Sequence, residues 1–258
     1  MFNSDFEEMI TTEGVKESYC SEISPTVLER LSKLLDGKHA PPAILTPAEV
    51  QEKMGLKASL LNEEPQILQV EGVISVLDSK RLIKYAKQHA EPVDKLHAGA
   101  NKKSIRNNKE VELMFGQPGQ YPENVQRVMK KISALATTLA NVPEENLESL
   151  ELHVTSKHEF FKLHHDFAAT FDEFLSPEGA RPWTLIIYLN DDVEGAALRW
   201  AFVAGSYGRR RRGSLSKHPD TAQTCCVCAS GGRTLFPNAS AAEPDLAGVP
   251  KTGRAVLW

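Results

Sequence analysis

The feature that most constrains the fold is a series of short strand-like runs in the second half of the chain. After Asn146, these runs are separated by Gly, Pro and Asp residues typical of turns. Several short strands with such turns between them predict an antiparallel sandwich or barrel. The predicted strands cover residues 150–155, 157–167, 183–190, 233–236 and 255–258.

The first half of the chain carries helical patterns instead. Ser24-Pro25 opens a predicted helix with an apolar stripe, and Gly37 stops it. A shorter helix begins at the capping box Thr46-Pro47-Ala48-Glu49, which has proline at the first helical position, and ends near Gly55. These two helices predict a small helical region ahead of the strand-rich half.

Between these regions, the pattern predicts one strand and two longer helices. Residues 66–74 predict the strand, and Asp78-Ser79 is predicted to cap a helix with an apolar stripe. Another helix follows Pro122, with apolar residues at helical spacing as far as Leu139. Helices that precede a strand-rich half predict an α+β fold rather than an alternating α/β fold. Side chains alternate along the predicted strand over 183–190, so Leu185, Ile187 and Leu189 are expected to face these helices.

The length of the chain fits one substantial core with a small extension. A chain of 258 residues with 41% hydrophobic residues does not suggest two large domains. We therefore predict a helical N-terminal extension over residues 1–64 and a single domain over residues 65–258. Residues 196–230 break the pattern with four consecutive arginines and a Cys-Cys-Val-Cys cluster, and they predict a disordered insertion.

Two other interpretations of residues 196–230 stay open. Cys225, Cys226, Cys228 and His218 are zinc-ligand types, although they lack the paired spacing of known zinc fingers. The basic run at 209–212 has the composition of a targeting signal or a nucleic-acid patch.

Composition sets expectations for partners and compartment. The net charge is −4 and much of the basic charge lies within residues 196–230, so nucleic acid is not an expected partner of the rest of the chain. Neither a secretory signal nor a long apolar span is evident, so we predict no membrane association and a cytoplasmic location. Composition does not indicate the oligomeric state.

One motif offers metal ligands. Residues 160–167 read Phe-Phe-Lys-Leu-His-His-Asp-Phe. In an extended strand, side chains alternate between faces, so His164 and Asp166 are predicted to project to one side while His165 points away. An imidazole and a carboxylate on one face can hold an iron ion, which requires a third ligand from elsewhere.

Five segments, which occur in the same order as in the family, resemble the prolyl 4-hydroxylase-like branch of the Fe(II)/2-oxoglutarate dioxygenases. The resemblance extends over roughly residues 65–258. The segments are residues 104–108, 164–166, 184–195, 231–237 and 250–257. The resemblance implies a double-stranded β-helix, or jelly roll, with supporting helices. It also implies that the protein binds Fe(II) and 2-oxoglutarate, and that ascorbate reduces iron that has become oxidised.

The resemblance assigns roles to individual residues of this chain. His164 and Asp166 correspond to two iron ligands, and Tyr188 and Thr234 correspond to residues of the 2-oxoglutarate pocket. Arg106 corresponds to a position at the substrate entrance. The implied reaction is hydroxylation of a peptide or protein substrate, with a prolyl residue as the leading target, and release of succinate and CO2.

The chain also departs from the family pattern. Thr155 stands where many relatives have a tyrosine that contacts 2-oxoglutarate. The sequence stops at Trp258, in the strand that precedes the distal histidine and the basic residue that pairs with 2-oxoglutarate, so we expect the chain to be incomplete and inactive. His218 is a possible replacement for the third ligand, but it lies within the predicted insertion.

Two other functions are consistent with these departures. One is a non-catalytic binding protein on a degenerate dioxygenase fold, which captures its partner regardless of iron. The other is a metal-assisted hydrolase that uses His164, Asp166 and water and needs no 2-oxo acid.

Overall fold

The fold was determined as a computed structural model. It describes residues 43–93, 107–117, 119–156, 159, 161–164, 183–191, 197–204, 226–228, 233–236, 239 and 246–258, and for 161–164, 197–204 and 226–228 it describes the backbone. The predicted helix that begins at Ser24 lies outside these residues, as do the predicted site residues Arg106 and Asp166.

Helices and strands are mixed along the chain, and the helices all precede residue 141 in the part that the structure describes. In chain order the elements are α1 (Pro47–Met54), β1 (Ala58–Asn62), β2 (Ile67–Val70), α2 (Val76–His89), β3 (Glu91–Pro92), β4 (Lys109–Leu113), α3 (Glu123–Ala140), a 3-10 turn (Glu144–Asn146), β5 (Leu147–Thr155), β6 (Phe161–His164), β7 (Trp183–Tyr188), β8 (Ala197–Ala204), β9 (Cys226–Cys228), β10 (Thr234–Leu235), β11 (Ala247–Gly248) and β12 (Ala255–Leu257). The prediction of a mixed helix and strand protein is confirmed.

The strands form two antiparallel sheets. The larger sheet has eight strands in the order β1-β2-β12-β7-β8-β5-β4-β3, and the smaller has four in the order β11-β10-β9-β6. Each strand pair that the structure describes is antiparallel. The strand that carries His164 is at one edge of the smaller sheet.

The start of α1 confirms the predicted capping box. The Thr46 hydroxyl accepts a hydrogen bond from the Glu49 backbone N–H at 3.3 Å, and the Glu49 carboxylate accepts one from the Thr46 N–H at 2.8 Å. Both bonds satisfy backbone N–H groups that have no carbonyl partner at the start of the helix. Gly55 ends the helix with φ of 66°, a conformation that glycine adopts without a Cβ penalty.

The predicted start of α2 was wrong by three residues. The helix begins at Val76, and its cap is Ser75, whose hydroxyl accepts from the Asp78 N–H at 3.1 Å. Asp78 therefore lies in the first turn, where a carboxylate is stabilised by the positive end of the helix dipole. The sequence pattern favoured Asp78 because aspartate and serine are both good caps and the two occur within a few residues of each other.

The helices cover one face of the eight-stranded sheet. The predicted apolar stripe of α3 is buried, and it forms one cluster with Leu82 of α2 and with Leu152, Leu185 and Ile187 of the sheet. The predicted inward direction of Leu185 and Ile187 toward the helices is confirmed. Burial of each large side chain in this cluster contributes about 1.5–3 kcal/mol relative to an exposed position.

The smaller sheet packs on the other face of the larger one. A second apolar cluster joins Ile186 and Tyr188 of β7 and Trp258 after β12 to Phe236 after β10 and Leu246 before β11. The rings of Phe236 and Trp258 meet edge to face with their centroids 5.0 Å apart. The described residues thus form three layers: helices, the eight-stranded sheet and the four-stranded sheet.

The prediction of a disordered insertion is corrected for two segments within residues 196–230. Strand β8 pairs on both sides, with β5 and β7, in the interior of the larger sheet, and β9 pairs with β6 and β10 in the smaller sheet. The β8 run Ala-Leu-Arg-Trp-Ala-Phe-Val-Ala is almost entirely apolar, which favours a strand covered on both faces. The rest of residues 196–230 lies outside the described part of the chain.

The predicted boundary between residues 64 and 65 falls in the turn that joins β1 to β2. These two strands pair with each other, and Val50 of α1 is buried in the same cluster as the helices that follow. The Leu45 backbone N–H also donates to the Leu139 carbonyl at 3.0 Å. Residues 43–62 therefore share a core with the residues after the boundary.

Within the described residues, the helices are all too short or too polar to cross a membrane.

Candidate active site

Tyr188, a predicted 2-oxoglutarate ligand, is buried between the two sheets. It is the last residue of β7, and its side chain is on the face opposite Leu185 and Ile187 because side chains alternate along a strand. The side chain has no exposure to solvent. A phenol in such a position needs hydrogen-bond partners, because an unsatisfied buried hydroxyl is costly.

Thr234, the second predicted pocket residue, supplies one of these partners. The Tyr188 hydroxyl lies 2.7 Å from Thr234 Oγ1 and 3.0 Å from the Gly248 carbonyl oxygen. The phenol has one hydrogen and the carbonyl can only accept, so the arrangement that satisfies both bonds has Tyr188 donate to Gly248 and Thr234 donate to Tyr188. The structure thus brings the two predicted cosubstrate residues into direct contact.

Gly248 makes this contact possible. A Cβ atom at position 248 would lie 2.7 Å from the Tyr188 hydroxyl oxygen and 3.0 Å from Val256 Cγ2. These distances are too short for a side chain, so a residue without one allows the phenol to reach the backbone. Ordinary backbone hydrogen bonds also hold Tyr188, from its N–H to the Arg254 carbonyl at 2.8 Å and from the Gly253 N–H to its carbonyl at 2.9 Å.

Two charged contacts anchor the turn beside Tyr188. Arg254 contacts the Glu71 carboxylate at 2.8 Å and Lys251 contacts it at 3.1 Å. Burial alone would raise the pKa of Glu71, but hydrogen bonds from Arg254 and Lys251, together with their charges, outweigh it and lower the pKa. Asp191 likewise accepts hydrogen bonds from the Thr252 N–H and hydroxyl, and these lower its pKa.

The predicted iron ligands are placed only in part. His164 ends strand β6, where its backbone is the register partner of Cys226 on β9. The next strand of that sheet, β10, carries Thr234 opposite Cys228. His164 and Thr234 therefore lie in one sheet, separated by one strand, whereas Asp166 and Arg106 lie outside the described residues. The roles of these residues stay predictions.

A second polar group on the larger sheet was not predicted from the sequence. Glu110 of β4 is the direct cross-strand partner of His153 of β5, and Glu151 is two residues earlier on β5. His153 Nε2 lies 2.8 Å from Glu151 Oε2 and 3.8 Å from Glu110 Oε2. These three side chains, which we call the EEH cluster, offer donor atoms that all lie within 4.8 Å of one another.

The EEH cluster is in the same cross-strand row as Tyr188. His153 is the register partner of Arg199 on β8, and Arg199 is in turn the partner of Tyr188 on β7. Leu150 and Leu152 of β5 face the helices, so Glu151 and His153 are on the face that also carries Tyr188. Two strand spacings separate His153 from Tyr188, or about 10 Å.

Part of the sequence could have indicated this cluster. The order Leu150-Glu151-Leu152-His153 alternates apolar and polar residues, which places Glu151 and His153 on one face of a strand. Glu110 lies about forty residues earlier, and its position opposite His153 depends on a strand register that the sequence does not specify.

The described residues form two facing antiparallel sheets, with helices on the outer face of the larger sheet. A buried tyrosine and several polar side chains lie on the face of the larger sheet that is turned toward the smaller sheet. The chain is 38% identical over 81 residues to Prolyl 4-hydroxylase 1 of Arabidopsis thaliana. That match covers 30% of this chain and 28% of the Arabidopsis protein. The predicted resemblance to the prolyl 4-hydroxylase-like family is therefore confirmed. No protein-family profile matches the chain.

Solved structures of prolyl hydroxylases are also similar to the chain. The viral collagen prolyl hydroxylase of Paramecium bursaria Chlorella virus-1, solved with 2-oxoglutarate, is 17% identical, with 74% of this chain and 92% of that chain covered and a TM-score of 0.35. A Pseudomonas putida prolyl-4-hydroxylase is 12% identical, with 63% of this chain and 100% of that chain covered and a TM-score of 0.40. At TM-scores this low, neither likeness establishes a shared fold.

Proposed function

We propose that the protein is an Fe(II)- and 2-oxoglutarate-dependent dioxygenase that hydroxylates a peptide or protein, with a prolyl residue as its target. The observation that carries this proposal is the 38% identity to a prolyl 4-hydroxylase over 81 residues. The name of that relative gives a prolyl substrate for that protein, and the proposal extends it to this chain. The match spans 28% of the relative, so the activity of the whole relative is not transferred by identity alone.

The donor types at the proposed site fit iron and its cosubstrate. An imidazole from His164 and a carboxylate from Asp166 would supply two of the three protein ligands of Fe(II), with His218 as the candidate third, leaving positions open for 2-oxoglutarate and O2. Bound iron would supply the oxidising chemistry, and this chain would bind, orient and shield the substrate. Ascorbate is proposed as the reductant that restores oxidised iron.

The Tyr188 phenol would bind a carboxylate of 2-oxoglutarate. Its one hydrogen is directed at the Gly248 carbonyl in the hydrogen-bonded arrangement described above. Donation to a cosubstrate would therefore require Tyr188 to turn away from Gly248, while Thr234 continues to donate to the phenol oxygen. Thr234 would in this way orient the phenol as well as line the pocket.

We also propose that the two facing sheets are the two halves of a double-stranded β-helix. The support is that the described pairings are antiparallel and that the smaller sheet packs over Tyr188. In such a fold, His164 and Tyr188 would face a common cavity between the sheets. In that arrangement, His164 would line the cavity from the smaller sheet and Tyr188 would line it from the larger sheet.

A turnover assay tests the proposal. The purified chain is incubated with Fe(II), 2-oxoglutarate, ascorbate and a proline-containing peptide, and both succinate and the gain of one oxygen atom by the peptide are measured. Both signals in the wild type would overturn the expectation from the sequence that the chain is inactive, and we expect His164→Ala and Asp166→Ala to abolish them. His89→Ala is the matched control, because His89 is exposed, stacks on Tyr85 within α2 and is not among the predicted site residues.

The same assay separates the alternatives. Peptide binding with no iron-dependent succinate release, unchanged in His164→Ala, would replace the proposal with a non-catalytic binding protein. Cleavage of the peptide with Zn2+ and without a 2-oxo acid would indicate a hydrolase instead.

A further inference from the structure

We propose that the EEH cluster, formed by Glu110, Glu151 and His153, binds one divalent transition-metal ion. The site uses none of the predicted iron ligands, so it does not depend on the proposed dioxygenase activity. It lies on the face of the larger sheet that carries Tyr188.

The backbone brings the three ligands together in a defined way. Glu110 and His153 are opposite each other in an antiparallel pair, which places their Cβ atoms about 4.5–5.5 Å apart. Glu151 is two residues from His153 and therefore on the same face of β5. All three are on strands that pair with a neighbour on each side, so backbone hydrogen bonds from both sides hold their positions.

The distances between donor atoms suit a bound ion. Ligand atoms about 2.1 Å from a metal lie roughly 3.0–3.5 Å from one another. His153 Nε2 is 2.8 Å from one glutamate oxygen and 3.8 Å from the other, which bracket this range. Small rotations of the carboxylates would place all three donors around one centre.

Charge and burial favour a cation at this position. The side chains of Glu110 and His153 are 5% and 7% exposed, and that of Glu151 is 33% exposed. Two carboxylates that converge on one point in a poorly solvated environment repel each other. Each of the three side chains already has a further partner, so a bound dication would have to replace these contacts with bonds to both carboxylates and to the His153 imidazole.

Asn108 adds an independent observation. It is 2% exposed, and its side-chain oxygen has no hydrogen-bond partner within the described part of the chain. Asn108 precedes Glu110 by two residues, which places both on one face if the extended backbone of β4 continues to it. A buried acceptor next to a metal site suits a hydrogen bond from a metal-bound water.

The donor set selects the class of metal. Carboxylates suit Mg2+ and Mn2+, and an imidazole adds affinity for ions of the Mn2+ to Zn2+ series. One imidazole and two carboxylates therefore favour a divalent transition metal over Mg2+ or Ca2+. The rival arrangement is a purely ionic cluster, in which a basic residue of this chain supplies the compensating charge. Arg199, whose backbone is the register partner of His153 on β8, is the basic residue to test.

Mn2+ is the appropriate probe. It binds oxygen and nitrogen ligands and avoids thiolates, so the cysteines at 225, 226 and 228 do not compete for it. The parent protein carries His164→Ala and Asp166→Ala, which removes the predicted iron ligands. Loss of the free Mn2+ paramagnetic resonance signal counts the bound ions, and the rise in unfolding temperature with added Mn2+ confirms that they bind the folded state.

We expect one Mn2+ per chain in this parent. Glu151→Gln and Glu110→Gln should each weaken binding at least as much as the roughly 10- to 100-fold loss that follows removal of an outer-shell partner. Glu123→Gln is the control: Glu123 is exposed at the start of α3, on the opposite side of the larger sheet from the EEH cluster, and its change should leave the affinity close to that of the parent.

Two results would overturn the proposal: no bound Mn2+ in the folded parent, or unchanged Mn2+ affinity in folded Glu151→Gln. Glu151 is the most exposed of the three ligands, so its substitution should disturb the fold least. Mn2+ binding that appears only when Arg199→Gln is added would establish the ionic cluster instead. None of these readouts depends on turnover, so the site and the proposed function can fail separately.

Discussion

Gly248→Ala tests the contact that places Tyr188 between the sheets. The added methyl group would lie 2.7 Å from the Tyr188 hydroxyl oxygen and 3.0 Å from Val256 Cγ2. Both neighbours are fully buried, so neither can move aside into solvent. The phenol would have to leave Gly248 and, with it, its position beside Thr234.

The expected loss of stability has two parts. Insertion of one methyl group into a packed core costs about 1–3 kcal/mol. Loss of the two hydrogen bonds of the phenol adds about 1 kcal/mol each if nothing replaces them. We therefore expect the free energy of unfolding to fall by roughly 3–5 kcal/mol, or roughly 6–20 °C in Tm for a chain of this size.

A double-mutant cycle with Tyr188→Phe tests the reasoning. Without the hydroxyl, the nearest ring atom to the added methyl group is Cζ at 3.7 Å, an ordinary contact. Gly248→Ala should then cost at least about 1 kcal/mol less in the Tyr188→Phe background, measured by urea unfolding without cosubstrate. An equal cost in both backgrounds would refute the claim that the phenol occupies the space beside Gly248.

Three further predictions concern the scaffold. Lys131→Met should lower the free energy of unfolding, measured by urea titration, by about 1–3 kcal/mol, because Lys131 contacts the buried Asp78 carboxylate at 2.6 Å. Lys130→Met, at the exposed neighbouring position, is the control and should change the free energy of unfolding little. The hydrogen bond from Lys131 lowers the pKa of Asp78, so the carboxylate stabilises the fold above its unfolded pKa of about 3.9 and loses this effect as the pH falls through the lower folded value. The stability difference between wild type and Asp78→Asn should therefore shrink between pH 5 and pH 2, and a difference independent of pH would contradict the assignment. Gly253→Ala should cost about 1–3 kcal/mol, because φ is 77° and the added Cβ would lie 2.5 Å from a backbone carbonyl oxygen; a thermal melt like that of the wild type would contradict it.

Local patterns predicted much of the fold. The capping box at Thr46 and Glu49 gave the start of α1, because the signal depends on four consecutive residues. The alternation along Leu185, Ile187 and Tyr188 predicted which side chains face the helices, because the period of a strand is two residues. Each of these features depends on neighbours in the sequence.

Features that depend on distant residues were not predicted. The EEH cluster requires Glu110 to be opposite His153, and a shift of one residue in the register would move Glu110 to the other face. Strand β8 was assigned to a disordered insertion because the arginines and cysteines after it outweighed its own apolar run. The direct contact between Tyr188 and Thr234 joins two sheets, and neither residue indicates the other in the sequence.

The most direct test of the central claim is equilibrium binding of 2-oxoglutarate to the Fe(II)-loaded protein under anaerobic conditions. We expect saturable binding by the wild type, weaker binding by Tyr188→Phe and loss of binding in His164→Ala. Absence of binding in the folded wild type, or equal binding by wild type and His164→Ala, would contradict it.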